Sequence, residues 1–160
     1  MSQFHTEIAR VPGTLTLSNG SAVPGAFFVA AASPTHAGPM RVKDLLNLER
    51  AFFPFEVTDS SGVHTHLFNR GHVVTVTLSS DAEPRVDAGY DVARSRRVAL
   101  RLTTGIDVVG LIRIYQRPGH ERTSDYARDR ITEETFRYLE RESDTLIVNM
   151  AHVLQISEID

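Results

Sequence analysis

The sequence predicts a mainly β protein: two tandem, pseudo-symmetric small barrels with short helical insertions. Three observations carry this expectation. The chain repeats itself, its apolar residues alternate over short runs between turn residues, and its glycines recur at matching places in both halves.

The repeat is clearest at the start of each half. Residues 14–29 read TLTLSNGSAVPGAFFV and residues 99–114 read ALRLTTGIDVVGLIRI. Leu15, Leu17, Gly20, Val23 and Gly25 meet Leu100, Leu102, Gly105, Val108 and Gly110 without a gap. Both stretches read as an alternating strand, a Gly turn and a second strand. The first Gly sits where a tight hairpin requires a positive φ. The second lies inside a strand, which suggests a bulge or a sharp bend.

The match resumes at the close of each half. LFNRGHVVTV (67–76) faces IVNMAHVLQI (147–156), so Asn69 corresponds to Asn149 and His72 to His152. Between these blocks RVKD (41–44) faces RTSD (122–125), and Phe53-x-Phe55 faces Phe136-x-Tyr138. The first repeat spans residues 10–78 and the second 98–158. The Asp-, Pro- and Gly-containing stretch 79–97 shows little periodicity and reads as the linker.

Within repeat one, Met40 to Arg50 is the helical candidate, and Phe52 to Val57, Val63 to Phe68 and Val73 to Leu78 are the strands. In repeat two, Thr132 to Glu142 (TEETFRYLERE) contains good helix formers behind a capping-type start. The run Ala26 to Ala32 does not alternate, which suggests a strand buried on both faces.

The blocks L-x-L-x-[NT]-G-x-x-V-x-G and N-x-x-H-V resemble those of a small Sm-like or SH3-like β-barrel. The Asn-Arg-Gly-His-Val-Val stretch (69–74) is similar to the second Sm signature, where an Arg-Gly turn joins the last two strands. The chain also resembles an uncharacterised bacterial domain family. That family has a Gly-bent strand pair, an R-x-x-D-x-L-N element, a Phe-rich segment and a closing V-N-x-x-H-I strand. Arg41, Asp44, Leu46, Asn47, Phe53, Asn69 and His72 fit it in repeat one. Repeat two keeps Arg122, Asp125, Asn149 and His152 but has Met150-Ala151 in place of Arg-Gly. The resemblance implies a fold and brings no activity with it.

Composition narrows the function. The net charge is −3 and the pI near 6.1, which disfavours a nucleic-acid binder. There is no Cys, so no disulfide or thiolate chemistry is open to the chain. The first ten residues lack the apolar core of a signal peptide, and no apolar stretch is long enough to span a bilayer. A cytoplasmic protein without membrane association is expected. No Walker or G-x-G-x-x-G pattern occurs, so no cofactor is expected.

Five positions form the candidate ligand site: Asn69, Arg70 and His72 in one closing turn, Asn149 and His152 in the other. An Asn or His in such a turn more often fixes the turn itself. The Sm-like resemblance implies instead that Asn69 and Arg70 line a ligand or RNA site. His64 and His66 are the candidate metal pair, since residues i and i+2 of a strand share a face. His72 and Glu56 are conceivable further ligands; the plainer reading is a solvated hairpin edge. Arg41 with Asp44, and Arg122 with Asp125, read as structural ties at i,i+3 spacing. Arg94, Arg96, Arg97 and Arg101 could meet phosphate but read as a solvated strand start. The loops Ser33 to Pro39 and Arg117 to Ser124 are further candidates for partner contact. No nucleophile–base pair accompanies these residues. The sequence therefore favours a non-enzymatic binding or scaffold protein with a protein partner or self-association. An Sm-like RNA binder and a His-x-His metal enzyme are the alternatives.

Overall fold

The computed structural model of the protein describes residues 7–33, 38–48, 51–115, 119, 122–128 and 134–159. In the first half these form β1 (Ile8–Leu17), β2 (Ala22–Ala30), α1 (Val42–Leu48), β3 (Phe52–Asp59), β4 (Gly62–Asn69) and β5 (Val73–Leu78). A short helix, α2 (Ala82–Arg85), lies in the connection. The second half forms β6 (Arg94–Leu102), β7 (Asp107–Ile114), α3 (Thr123–Ala127), β8 (Phe136–Glu140), β9 (Thr145–Asn149) and β10 (Val153–Glu158).

The protein is mainly β, as predicted, and the ten strands of the described residues lie in one open antiparallel sheet. Their order is β10-β6-β7-β8-β9-β5-β1-β2-β3-β4. Each half contributes five adjacent strands in the same order: its fifth strand, then its first to fourth. The two sets meet where β9 pairs with β5, leaving β10 and β4 as the outer edges.

Local chemistry explains the shared geometry. Gly20 and Gly105 have φ of 87° and 85°, a region that a Cβ disfavours. Each closes its hairpin by donating its N–H at 2.9 Å, to the Leu17 and Leu102 carbonyls respectively. Gly25 and Gly110 act differently. The β1–β2 ladder runs through Gly25 without a shift, so no bulge forms there. Instead the neighbouring strand crosses too close for a side chain. A Cβ on Gly25 would lie 2.0 Å from the Glu56 carbonyl oxygen, and one on Gly110 2.6 Å from that of Glu140. The bulges sit on the last strands. The β1–β5 register skips Val74, and the β10–β6 register skips Leu154. A bulge re-aims the side chain it carries.

The structure corrects several expectations. Phe136–Glu140, at the centre of the helix-prone segment 132–142, is strand β8. Pairing with β9 from Phe136↔Asn149 to Glu140↔Thr145 overrides the segment's helix propensity. Residues 132–133 lie outside the described residues. The ladders also shift the aromatic alignment by one. Asn69 pairs with Phe52 and Asn149 with Phe136, so Phe52, not Phe53, is the counterpart of Phe136. Such a slip exchanges the faces of the sheet. β6 begins at Arg94, inside the stretch read as linker. In the run 26–32, Phe27 and Val29 are buried while Ala26, Phe28 and Ala30 are half-buried, so one face dominates.

Two apolar cores follow, and they exchange residues across the seam. The first gathers Leu15, Phe27, Phe53, Phe55 and the buried face of α1, together with Phe136 and Ile147 from the second half. The second gathers Leu100, Ile112, Leu139 and Val148, together with Val74 from the first half. The bulge at Val74 directs it out of its own half.

Gly25→Ala and Gly110→Ala should each destabilise the fold, because β3 or β8 must move away from a backbone contact. The expected cost is about 1–3 kcal/mol each by urea denaturation. A midpoint equal to the wild type's in both variants would contradict the crossing geometry.

Candidate functional site

The closing turns place the predicted residues on the edges of each half. Arg70–His72 and Met150–His152 are single 3-10 turns. Asn69 caps the first, its Oδ1 accepting from the Gly71 N–H at 2.9 Å; Asn149 caps the second, accepting from Ala151 at 3.0 Å. His72 Nδ1 shares a 2.9 Å hydrogen bond with Ser18 Oγ, and His152 Nδ1 a 2.8 Å bond with Thr103 Oγ1. The main chain repeats the tie, since Ser18 and Thr103 donate to the His72 and His152 carbonyls at 2.8 Å. Ser18 and Thr103 are aligned in the repeat and were legible there; only their role was not.

The two turns differ in what else they touch. Asn149 is buried in the seam, and its Nδ2 donates to the Val73 carbonyl at 2.9 Å. His152 Nε2 lies 2.7 Å from the Gly71 carbonyl, which can only accept. The ring therefore carries its proton on Nε2 and, when neutral, accepts from Thr103 at Nδ1. Asn69 and His72 are exposed on the open edge. Arg70 is drawn into the seam: its Nε donates to the Leu46 carbonyl at 2.5 Å, and its guanidinium lies 5.2 Å from the Phe136 ring centre. That use of Arg70 does not present it to a ligand.

α1 bridges the seam. Asn47 pairs with the β8 backbone like an added strand, donating to the Phe136 carbonyl at 3.0 Å and accepting from its N–H at 2.9 Å. Around it lies an ionic network of half-buried side chains about the buried Lys43. Arg41 Nε donates to Asp44 at 2.9 Å, and its guanidinium reaches Asp87 in the connection. Glu83, also from the connection, caps α1 by accepting from the Val42 N–H at 2.8 Å, and takes a 3.0 Å bond from the Tyr138 hydroxyl. Lys43, itself buried, pairs with Glu134 at 2.9 Å and lies 4.7 Å from the Tyr138 ring centre. Burial pushes the Glu83 carboxyl up despite these donors. Burial, then the neighbouring Glu83 charge, holds the Tyr138 hydroxyl protonated. A second network joins Arg113, Glu140 and Tyr90, with Arg113 Nε 2.7 Å from Glu140 and the Tyr90 hydroxyl donating to Glu140 at 2.5 Å. In both networks the charged groups are paired with one another or with backbone and hydroxyl donors of neighbouring elements, as structural ties are.

His64 and His66 share a face of β4, with ring centres 6.2 Å apart. His64 Nε2 is 2.8 Å from Ser61 Oγ and 3.5 Å from Asp59. Asp59, Ser61 and His64 belong to a stretch in which the β3–β4 hairpin outruns its β8–β9 counterpart, whereas His66 matches Leu146. Residues 57–64 connect the positions matching Glu140 and Thr145, which only 141–144 join in repeat two. Glu56, a suggested third ligand, is taken by Arg10. Among the described residues no three His, Asp or Glu side chains gather to hold a metal ion. Arg101 is paired with Asp107 and Arg96 faces Glu158 at 3.7 Å, so the basic cluster is partly neutralised. An open groove of about 440 Å³ between Gly13, Pro24, Gly25 and Asp144 offers one carboxylate, and Arg141 holds it at 2.6 Å. Residues 34–37 of the first predicted contact loop and 117, 118, 120 and 121 of the second lie outside the described residues.

No family model, no curated protein and no solved structure was found to match the chain. Among the described residues no helix is long and apolar enough to cross a membrane.

Two outcomes test this geometry. Asn149→Ala leaves the Val73 carbonyl without its donor in a buried seam, so it should cost about 1–3 kcal/mol in urea denaturation. Asn69→Ala on the open edge should cost clearly less. For Glu83, the folded state keeps the proton above the ordinary value of 4.5. Its contribution to stability is therefore full below that pH and declines as pH rises through the raised folded value. The stability of the wild type relative to Glu83→Gln should fall as pH is raised from 4 to 7, and a constant difference would contradict the buried carboxyl.

Proposed function

We propose that the chain is a non-enzymatic binding or scaffold protein, each half a small-barrel module of the Sm- or SH3-like kind. The strand order shared by the halves, with a Gly in each second strand where the third strand crosses close, supports that reading of the modules. One observation carries the functional reading. The polar groups that could have formed a catalytic centre are taken up in structural ties, while large apolar side chains stand exposed on both open strand edges. Val63 and Leu67 lie on β4, Phe52 beside it on β3, and Leu154 on β10. Exposed strands present unpaired N–H and C=O groups to another polypeptide, and natural edges are usually defended by Lys or Pro. Neither β4 (GVHTHLFN) nor β10 (VLQISE) contains either residue. The partner expected on this reading is a polypeptide that adds a strand.

Site-specific photo-cross-linking in cells tests it. A benzophenone side chain at Leu67 or Leu154 should give a discrete protein adduct, whereas one at the exposed Arg101 should not. Absence of adducts at both edges would overturn the reading, as would metal-dependent turnover lost in His64→Ala.

A further inference from the structure

We infer that the polypeptide which fits these edges is a second copy of this chain, its β10 pairing head-to-tail with β4. This rests on the binding reading and names its partner. The seam inside the molecule supplies the template. It joins the fourth strand of one module (β9) to the fifth strand of the other (β5), and the edges left open are the remaining fourth strand (β4) and fifth strand (β10).

The side chains that cross the seam have matching counterparts on those edges. Phe136, Ile147 and Val74 cross it and are each 0% exposed. Their counterparts in the other repeat are Phe52, Leu67 and Leu154, exposed by 54%, 68% and 66%. Leu154 is the residue skipped in the β10–β6 ladder, as Val74 is in β1–β5, so the same bulge aims it outward. The polar ties repeat as well. Asn149 donates to the Val73 carbonyl and His152 Nε2 to that of Gly71. On the open edge Asn69 and His72 hold equivalent positions, facing where the Val153 and Ala151 carbonyls of the second copy would lie.

The seam register fixes the intermolecular one. Thr75↔Val148, Val76↔Ile147, Thr77↔Leu146 and Leu78↔Thr145 become Gln155↔Phe68, Ile156↔Leu67, Ser157↔His66 and Glu158↔Thr65. No like charges are opposed in that ladder. Several seam contacts have no equivalent, because Met150 stands for Arg70, Arg128 for Asn47, Ser124 for Lys43 and Pro54 for Tyr138. The intermolecular pairing is therefore weaker than the seam and depends on concentration. A contact of this kind is heterologous, so each copy gives one edge and receives the other.

Sedimentation velocity of the full chain and of Leu67→Lys and Leu154→Lys tests the inference. The wild type should sediment above 17.8 kDa, at two copies or more as concentration rises. Each variant alone should be a monomer, because each lacks one edge. Mixed, they should form a 1:1 dimer and nothing larger, since one intact β4 and one intact β10 remain. A monomeric wild type at all concentrations would overturn the inference, and so would a variant that still self-associates. If a Lys variant fails to fold, Leu67→Cys mixed with Ile156→Cys replaces it. The native chain has no Cys, and oxidation should cross-link these two between copies; absence of that link would also overturn the inference. An edge adduct to a different protein would leave the binding reading standing and remove this one.

Discussion

The pairing of β5 with β9 is the constraint on which the rest depends. It is an ordinary antiparallel ladder of four residue pairs, from Thr75↔Val148 to Leu78↔Thr145. Its effect comes from what it carries. Ile147 and Phe136 fill the core of the first half, and Val74 fills that of the second. Small modules of this length bury too little surface to be robust alone. The exchange makes each half complete only in the presence of the other.

The connection between the halves is built to hold that seam. Glu83 and Asp87 reach back to α1, and α1 reaches across to β8 through Asn47 and Lys43. These charges, half-buried except for the buried Lys43, are paired and hydrogen-bonded, the condition under which burial is tolerated. They tie connection, helix and sheet in one geometry. The same economy accounts for the candidate residues of the closing turns: Asn149, His152 and Arg70 are fastened to backbone carbonyls. What remains exposed and apolar lies at the ends of the sheet.

Much of this was legible in the sequence where a local rule decides the structure. Gly20 and Gly105 were read from the turn they must make, and Asn69, His72, Asn149 and His152 from their recurrence. The linked parts were less legible because they depend on partners distant in the chain. TEETFRYLERE reads as helix on its own, and only the β9 ladder makes its centre a strand. Phe52 and Phe53 cannot be told apart by composition, and their register sets which faces the core. Glu83 sits in a stretch without periodicity, so nothing local marks it as the cap of a helix some forty residues earlier. Gly25 was read as a bend or bulge, and the reason it must be Gly is a carbonyl on another strand.

The central claim is that the two halves share their cores and stand or fall together. Equilibrium urea unfolding followed by methyl NMR tests it directly, with Leu15 and Val29 reporting the first core and Leu100 and Ile112 the second. The account expects all four signals to lose intensity at one midpoint, as in a single two-state transition. Separate midpoints, with one half still folded while the other has unfolded, would contradict it.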